Sequence, residues 1–311
     1  MIRFYNYRHI FFAISLSLIL FGIVAAFING IQLDIQFKGG TILKYTYSDT
    51  IYVERAEAVV EDAVGRTTNC QLQSNLARDE KMLIVSLASN EALTSQEQEA
   101  VTAALIKAYP DAKLALSESL TVEPFIGKRF FTNGMIAIGL SFLLILGYVG
   151  WRFRNIGGVS AGTMAIIALF HDVFIVTAVF VIFKIPLNDS FIAAILTIIG
   201  FSINDTIVIY DRIRENRRLM NYKTSPEELV DTSINQSMMR SINTNLAVFV
   251  SIAVIYCFAL VYDIGSIRDF ALPMMFGTVS GCYSTICIAG PLWTMWQNHM
   301  REGAGARKSA S

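Results

Sequence analysis

The sequence predicts an all-α membrane bundle of six transmembrane helices, with a small α+β domain inserted between the first and second helix. Of its 311 residues, 54% are apolar and only 16% are charged, and its mean hydropathy is +0.49. A soluble domain has about 25% charged residues. The charges cluster, and the apolar stretches between them reach the roughly 20 residues that a bilayer core requires of a helix. The predicted spans are residues 10–28, 132–150, 158–183, 190–210, 241–262 and 270–294.

The distribution of Lys and Arg predicts the orientation of these spans. Thirteen Lys and Arg residues fall on one side, against only Lys184 and Arg268 in the short loops opposite. Because short cytoplasmic loops retain positive charge, both ends of the chain are predicted to be cytoplasmic. The remaining regions are then cytoplasmic tails at 1–9 and 295–311, an extracytoplasmic domain at 29–131 and a cytoplasmic loop at 211–240.

The inserted domain alternates between strand-like and helix-like patterns. Thr94 and Glu97 form a capping-box pattern before the second helix, and Pro110 closes that helix. The order β-α-β-β-α-β is that of a ferredoxin-like unit. The predicted strands and helices are 41–47, 53–64, 70–76, 82–88, 95–108 and 112–122.

The cytoplasmic loop carries charges of both signs. Ser225 followed by Pro226, Glu227 and Glu228 is typical of a capped helix start. We expect a short amphipathic helix lying along the cytoplasmic surface.

Two carboxylates lie inside predicted spans, Asp172 in the third and Asp205 in the fourth. An ionised carboxylate in a bilayer costs roughly 2.5–3.5 kcal/mol on insertion scales, so each must face protein or water. A carboxyl group sheltered from water can exchange a proton near neutral pH, as a proton carrier must. Either residue could instead be a hydrogen-bonding group that holds helices together.

Arg240 opens the fifth span at about the depth of Asp205. Since arginine stays charged, it could pair with ionised Asp205 and release the protonated form, converting proton binding into helix movement. The alternative is that Arg240 is only a positive flank of the span. His171 precedes Asp172, but neighbours on a helix point about 100° apart, so a packed histidine is expected rather than a dyad.

Small residues indicate where helices approach closely. Gly158 and Gly162 share a face of the third span with Asp172, Asn204 lies on a small-residue face of the fourth, and Gly277 and Gly281 form a G-x-x-x-G in the sixth. These patterns predict helix packing.

Several classes of function are disfavoured. The net charge of zero does not suggest a nucleic-acid partner. The four cysteines have no disulfide or zinc spacing. No cofactor, metal site or catalytic residue is predicted.

Six stretches together resemble the SecF branch of the SecD/SecF family, across essentially the whole chain. The most specific is IIGFSINDTIVIYDRIREN at 198–216. The others are QFKGGT at 36–41, which contains Phe37, Gly39 and Gly40 of an extracytoplasmic motif, EPFIGKRF at 123–130, ALFHDVFI at 168–175, RSINTNLAVF at 240–249 and IRDFALPMMFGTVSGCYSTICIAGPL at 267–292.

The resemblance implies an RND-superfamily protein of the bacterial inner membrane that supplies half of a twelve-helix unit. The implied partners are SecD, the SecYEG translocon with SecA, YajC, the translocating preprotein and membrane lipid. The implied activity is non-enzymatic: inward flow of protons or sodium ions drives the external domain and assists preprotein export. Asp205 and Arg240 match the proton-carrying positions of the family, with Asp172 a lesser candidate. The alternatives are a small-molecule RND-type transporter subunit and a structural subunit without ion coupling.

Overall fold

In the part of the chain that it describes, the structure, a computed structural model, contains six helices long and apolar enough to cross a membrane. It describes residues 2–34, 37, 39–66, 68–75, 80–88, 93–122, 124–220, 224–262 and 264–309. Gln36 and Glu123 of the quoted motifs lie outside these residues, as does Lys223. The membrane helices are α1 (Arg8–Asn29), α4 (Pro124–Arg152), α5 (Gly158–Ile182), α6 (Asp189–Leu219), α7 (Pro226–Val261) and α8 (Gly265–Ser284), which runs through a π-helical turn (Thr285–Ala289) into α9 (Gly290–Ser309).

Three of these helices form the centre of the bundle. In their most apolar windows, 56% of residues are buried in α5, 56% in α6 and 67% in the α8–α9 helix, against 17%, 11% and 6% in α1, α4 and α7. The last three therefore leave most of their apolar surface uncovered by this chain. The candidate site lies among the central helices, where this chain shelters the two membrane carboxylates.

The inserted domain is a four-stranded antiparallel sheet with two helices. Its elements are β1 (Gly40–Tyr47), α2 (Val53–Val64), β2 (Thr68–Asn75), β3 (Glu80–Ala88), α3 (Ser95–Ala108) and β4 (Ala115–Val122). The strand order is β2-β3-β1-β4, with Leu43 opposite Val85 in the β1–β3 register. The core includes Tyr45 and Leu105, both fully buried. The predicted capping box is confirmed, because Thr94 accepts from the Glu97 amide while the Glu97 side chain accepts from the Thr94 amide.

The connection from α1 to the sheet is fixed by Phe37. Its side chain is 4% exposed, and its ring centroid lies 5.2 Å from that of Phe131 near the start of α4. Gly39 and Gly40 follow with φ of 83° and 141°, a backbone region that favours glycine. The chain can therefore turn into β1 immediately after the docked ring.

Helix α7 differs from the expectation of a separate surface helix. Ser225 caps it as predicted, accepting a hydrogen bond from the Glu228 amide at 3.2 Å. The helix then continues without interruption for 36 residues to Val261. No glycine or second proline interrupts this stretch, so nothing in the local sequence ends the helix before the membrane span.

Candidate functional site

Asp172 lies at the junction of the three central helices, and its side chain is completely buried. Three serine hydroxyls donate to it, each at 2.6 Å: Ser280 to Oδ1, and Ser202 and Ser284 to Oδ2. Ser202 belongs to α6 and the other two to α8. Both carboxylate oxygens are therefore satisfied by neighbouring helices.

His171 also contacts Asp172, contrary to the expectation from helix geometry. Its Nδ1 lies 3.3 Å from Asp172 Oδ1, and the residue is 6% exposed. The backbone directions of adjacent residues do diverge, but the length of the imidazole brings its ring nitrogen back to the carboxylate. The expectation that His171 is packed in the interior is confirmed.

Glycines allow α8 to approach this cluster. A Cβ added at Gly277 would lie 2.6 Å from Ile198 and 2.8 Å from Val176, and one at Gly281 would lie 3.2 Å from Ser202. Since real Cβ atoms do not approach other atoms as closely as 2.6 Å, only glycine fits at Gly277. The G-x-x-x-G pair thus sets the distance at which Ser280 and Ser284 reach Asp172.

Asp205 has a different environment, although it is only 5% exposed. The Asn245 side-chain amide of α7 donates a short hydrogen bond to Asp205 Oδ2. Arg240 lies within electrostatic range of Asp205, but among the described residues the two form no ion pair within 4 Å. The direct hydrogen-bond partner is therefore an amide, and the pairing of Arg240 with ionised Asp205 stays a prediction.

Further buried hydroxyl groups extend from Ser202 along α6. Thr206, next to Asp205 in sequence, donates to the Ser202 carbonyl at 3.1 Å and lies 3.0 Å from the Thr285 hydroxyl. Thr285 begins the π-helical turn, a helix irregularity often found at functional sites. Ser202 itself donates to Asp172. Buried hydroxyl groups of α6 and of the π-helical turn thus lie between the level of Asp172 and that of Asp205, but the hydrogen bond to Asp205 comes from Asn245.

The other predicted packing residues divide between two faces. Gly158 and Gly162 pack closely against α4, since an added Cβ would lie 2.0 Å from the Gly150 carbonyl oxygen and 2.9 Å from Leu146. Asn204, in contrast, is exposed, and a Cβ on nearby Gly200 would meet nothing within 4 Å. Within this chain the opposite face of α6 forms the core, and the packing role of Asn204 stays a prediction.

Sequence reasoning missed the roles of Asn245, Ser202 and Ser280. Serine is common in membrane helices, and nothing local assigns its hydroxyl to a particular carboxylate. A usable signal was the i, i+4 spacing of Ser280 and Ser284, which places both hydroxyls on one face of α8.

The fold and the site together define a multi-pass membrane protein with an inserted α+β domain and a buried polar centre. A sequence profile described as "Protein export membrane protein SecD/SecF, C-terminal" matches residues 101–299. Protein translocase subunit SecF of Thermobaculum terrenum is 32% identical over 96% of this chain and 95% of that protein. SecF of Alicyclobacillus acidocaldarius is 32% identical over 96% of this chain and 94% of that protein.

A solved structure is similar over the same length. The crystal structure of SecDF from Thermus, described as a translocon-associated membrane protein, matches with a TM-score of 0.78 and 29% identity. The match covers 96% of this chain but only 39% of that one. The chain belongs to the SecD/SecF family of protein-export membrane proteins, on its SecF side. It is accordingly an accessory subunit of Sec translocation.

Proposed function

We propose that this accessory subunit couples the flow of protons or sodium ions through the membrane to movement of the sheet domain, and so promotes preprotein export and release. The observation that carries the proposal is the environment of Asp205. This carboxylate is sheltered from water, and among the described side chains it accepts one hydrogen bond, from Asn245, with the cation of Arg240 nearby. A change in the charge of Asp205 therefore changes the strength of its interactions with Asn245 and Arg240.

The mechanism uses α6 and α7. When Asp205 is ionised, it accepts from Asn245 and attracts Arg240, and both residues belong to α7. When a cation neutralises Asp205, this attraction falls and α7 can shift relative to α6. The transmembrane potential supplies about 2.3 kcal/mol per charge per 100 mV. A few ions per cycle are then enough to move a small domain.

The proposal includes the orientation and the type of the domain. We infer that the sheet domain is extracytoplasmic and that both ends of the chain are cytoplasmic, which the Lys and Arg asymmetry supports. We also infer a ferredoxin-like domain. The order of its strands and helices and the sheet order β2-β3-β1-β4 support this inference.

We further propose SecD as the direct partner in a bacterial inner membrane. The similar SecDF chain is longer than this one, with most of its length outside the match. The exposed α6 face around Gly200 and Asn204 and the largely uncovered α7 offer apolar surface for a second set of helices. SecYEG with SecA, YajC, the preprotein and lipid complete the proposed assembly.

The test replaces Asp205 with Asn and with Glu in vesicles that contain SecD and the translocon. We expect Asp205→Asn to insert and bind SecD normally but to lose stimulation of preprotein release, because an amide cannot exchange a proton. Asp205→Glu should retain part of the stimulation. Measuring export against pH and against Na⁺ identifies the ion. Normal export by Asp205→Asn would reject ion coupling at this residue.

One observation favours a structural role for the other carboxylate. Asp172 accepts hydrogen bonds from three hydroxyls on two neighbouring helices, an arrangement suited to holding helices together. We therefore propose that Asp172 stabilises the helix bundle and that Asp205 is the residue that couples ion flow to movement.

A further inference from the structure

The leading segment, residues 2–7, is attached to α7 by the side chain of Asn235. Asn235 Oδ1 accepts from the Ile2 backbone amide at 2.9 Å, and Asn235 Nδ2 donates to the Ile2 carbonyl at 2.7 Å. Both backbone groups of one residue are thus paired with one carboxamide. The same Nδ2 donates to the Asp231 carbonyl one turn earlier in α7, which fixes the orientation of the amide.

A second attachment lies one turn from the first. The Tyr5 backbone amide donates to Asp231 Oδ1 at 3.0 Å, and Asp231 is only 5% exposed. Between the two contacts, Phe4 is 6% exposed and belongs to the main apolar core of the bundle. The segment is therefore held to α7 by hydrogen bonds at Ile2 and Tyr5, with Phe4 packed between them, while the Tyr5 hydroxyl accepts from Asn298 Nδ2 of α9 at 3.3 Å.

These contacts join α7 to the segment before α1, and the two helices lead to different parts of the molecule. The leading segment continues directly into α1, which runs to the other side of the bundle and leads into the sheet domain. Helix α7 continues from Asn235 through Arg240 to Asn245, the partner of Asp205. Those ten residues of unbroken helix span about 15 Å. A displacement of α7 at Asn245 is thus carried along a continuous helix to the leading segment.

We propose that Asn235 and Asp231 are positioning residues that link the helix next to Asp205 to α1, so that movement of α7 reaches the sheet domain through residues 2–7. The inference rests on the proposed function, and it identifies the contacts that transmit ion binding at Asp205 to movement of the sheet domain. The link consists of hydrogen bonds to backbone groups, so it does not depend on the side chain at residue 2.

The experiment separates ion binding from its mechanical output. The full-length variants Asn235→Ala and Asp231→Asn are compared with the control Thr232→Ala. Thr232 is a half-buried neighbour on α7, and its side chain has no contact with residues 2–7 among the described hydrogen bonds. Export stimulation is measured per inserted molecule in SecD-containing vesicles. Protonation of Asp205 is followed in the same samples by the infrared band of a protonated carboxyl group, assigned by its loss in Asp205→Asn.

We expect Asn235→Ala and Asp231→Asn to reduce export stimulation at least about fivefold, the lower end of typical coupling effects. The Asp205 band should titrate as in the unsubstituted protein, and Thr232→Ala should behave normally in both measurements. If Asn235 and Asp231 only stabilised the fold, their variants would yield fewer inserted molecules, and export per inserted molecule would be unchanged. Normal export per molecule, or an altered Asp205 titration, would overturn the inference.

A variant on the other side of the contact tests the same hydrogen bonds without a substitution in α7. Ile2→Pro removes the amide hydrogen that Asn235 accepts and leaves α7 unchanged, so it should uncouple export in the same way. Normal export by Ile2→Pro would also count against the link. The failure of the proposed function is a separate result, because it appears as normal export by Asp205→Asn whatever happens at Asn235.

Discussion

The two buried carboxylates differ in how completely their neighbours satisfy them. Asp172 is fully buried and accepts from hydroxyls of α6 and α8. Asp205 accepts one side-chain hydrogen bond, from α7, a helix that this chain leaves largely uncovered. The difference teaches that the number and the location of the hydrogen-bond partners, rather than burial, distinguish the two carboxylates. A group that must change its interactions needs few partners, and those partners must lie on an element that can move.

The largest expected effect is a split between stability and activity when each carboxylate is replaced by its amide. Asp172→Asn places amide hydrogens against hydroxyl donors, so we expect a loss of about 1–3 kcal/mol in unfolding free energy. Export per folded molecule should be retained. Asp205→Asn should show the opposite pattern. Thermal unfolding in detergent and vesicle export measure the two quantities, and identical patterns would erase the distinction.

The approach of α8 to Asp172 can be tested at Gly277. In Gly277→Ala the new methyl group would overlap Ile198 and Val176, and such overpacking costs about 1–3 kcal/mol. The control is Gly139→Ala in α4, where an added Cβ meets nothing within 4 Å. Thermal unfolding should show destabilisation only in the first variant. Equal stability of both would mean that α8 does not need glycine there.

A smaller effect is expected from single hydroxyls of the serine cluster. Ser284→Ala removes one of two donors to Asp172 Oδ2 and should cost about 1–2 kcal/mol. Ser251→Ala is the control, because Ser251 is exposed on α7 and bonds only its own helix in the described contacts. Ser202→Ala combined with Ser284→Ala should cost more than the sum, since Oδ2 then loses both donors. Strict additivity would contradict the shared role.

The smallest effect concerns Glu97, a half-buried carboxylate of the sheet domain. The Thr94 backbone amide, then the Thr94 hydroxyl, lower the pKa of Glu97. Because the folded pKa is lowered, this stabilisation is present above the unfolded pKa of about 4.3 and is lost as pH falls through the folded value. Thr94→Ala should cost about 1 kcal/mol. Hydrogen exchange of the α3 amides measures both effects, and unchanged exchange would exclude the cap.

Local patterns were enough to find the elements of the fold. Apolar runs gave six helices that could span a membrane, since hydropathy depends only on the residues within each run. The capping box of α3 and the start of α7 at Pro226 were also predictable, because capping acts between residues three or four apart. The continuity of α7 was missed, since charged residues suggested a boundary that no helix-breaking residue enforces.

The sequence by itself determined which stretches are apolar enough to cross a membrane and which charges lie within them, including Asp172 and Asp205. Only the tertiary structure decided their partners. Ser280 and Ser284 lie more than a hundred residues from Asp172 along the chain, and Asn245 lies forty from Asp205. The physical reason is that helix packing, set by close contacts such as those at Gly277, chooses which hydroxyl or amide reaches each carboxylate.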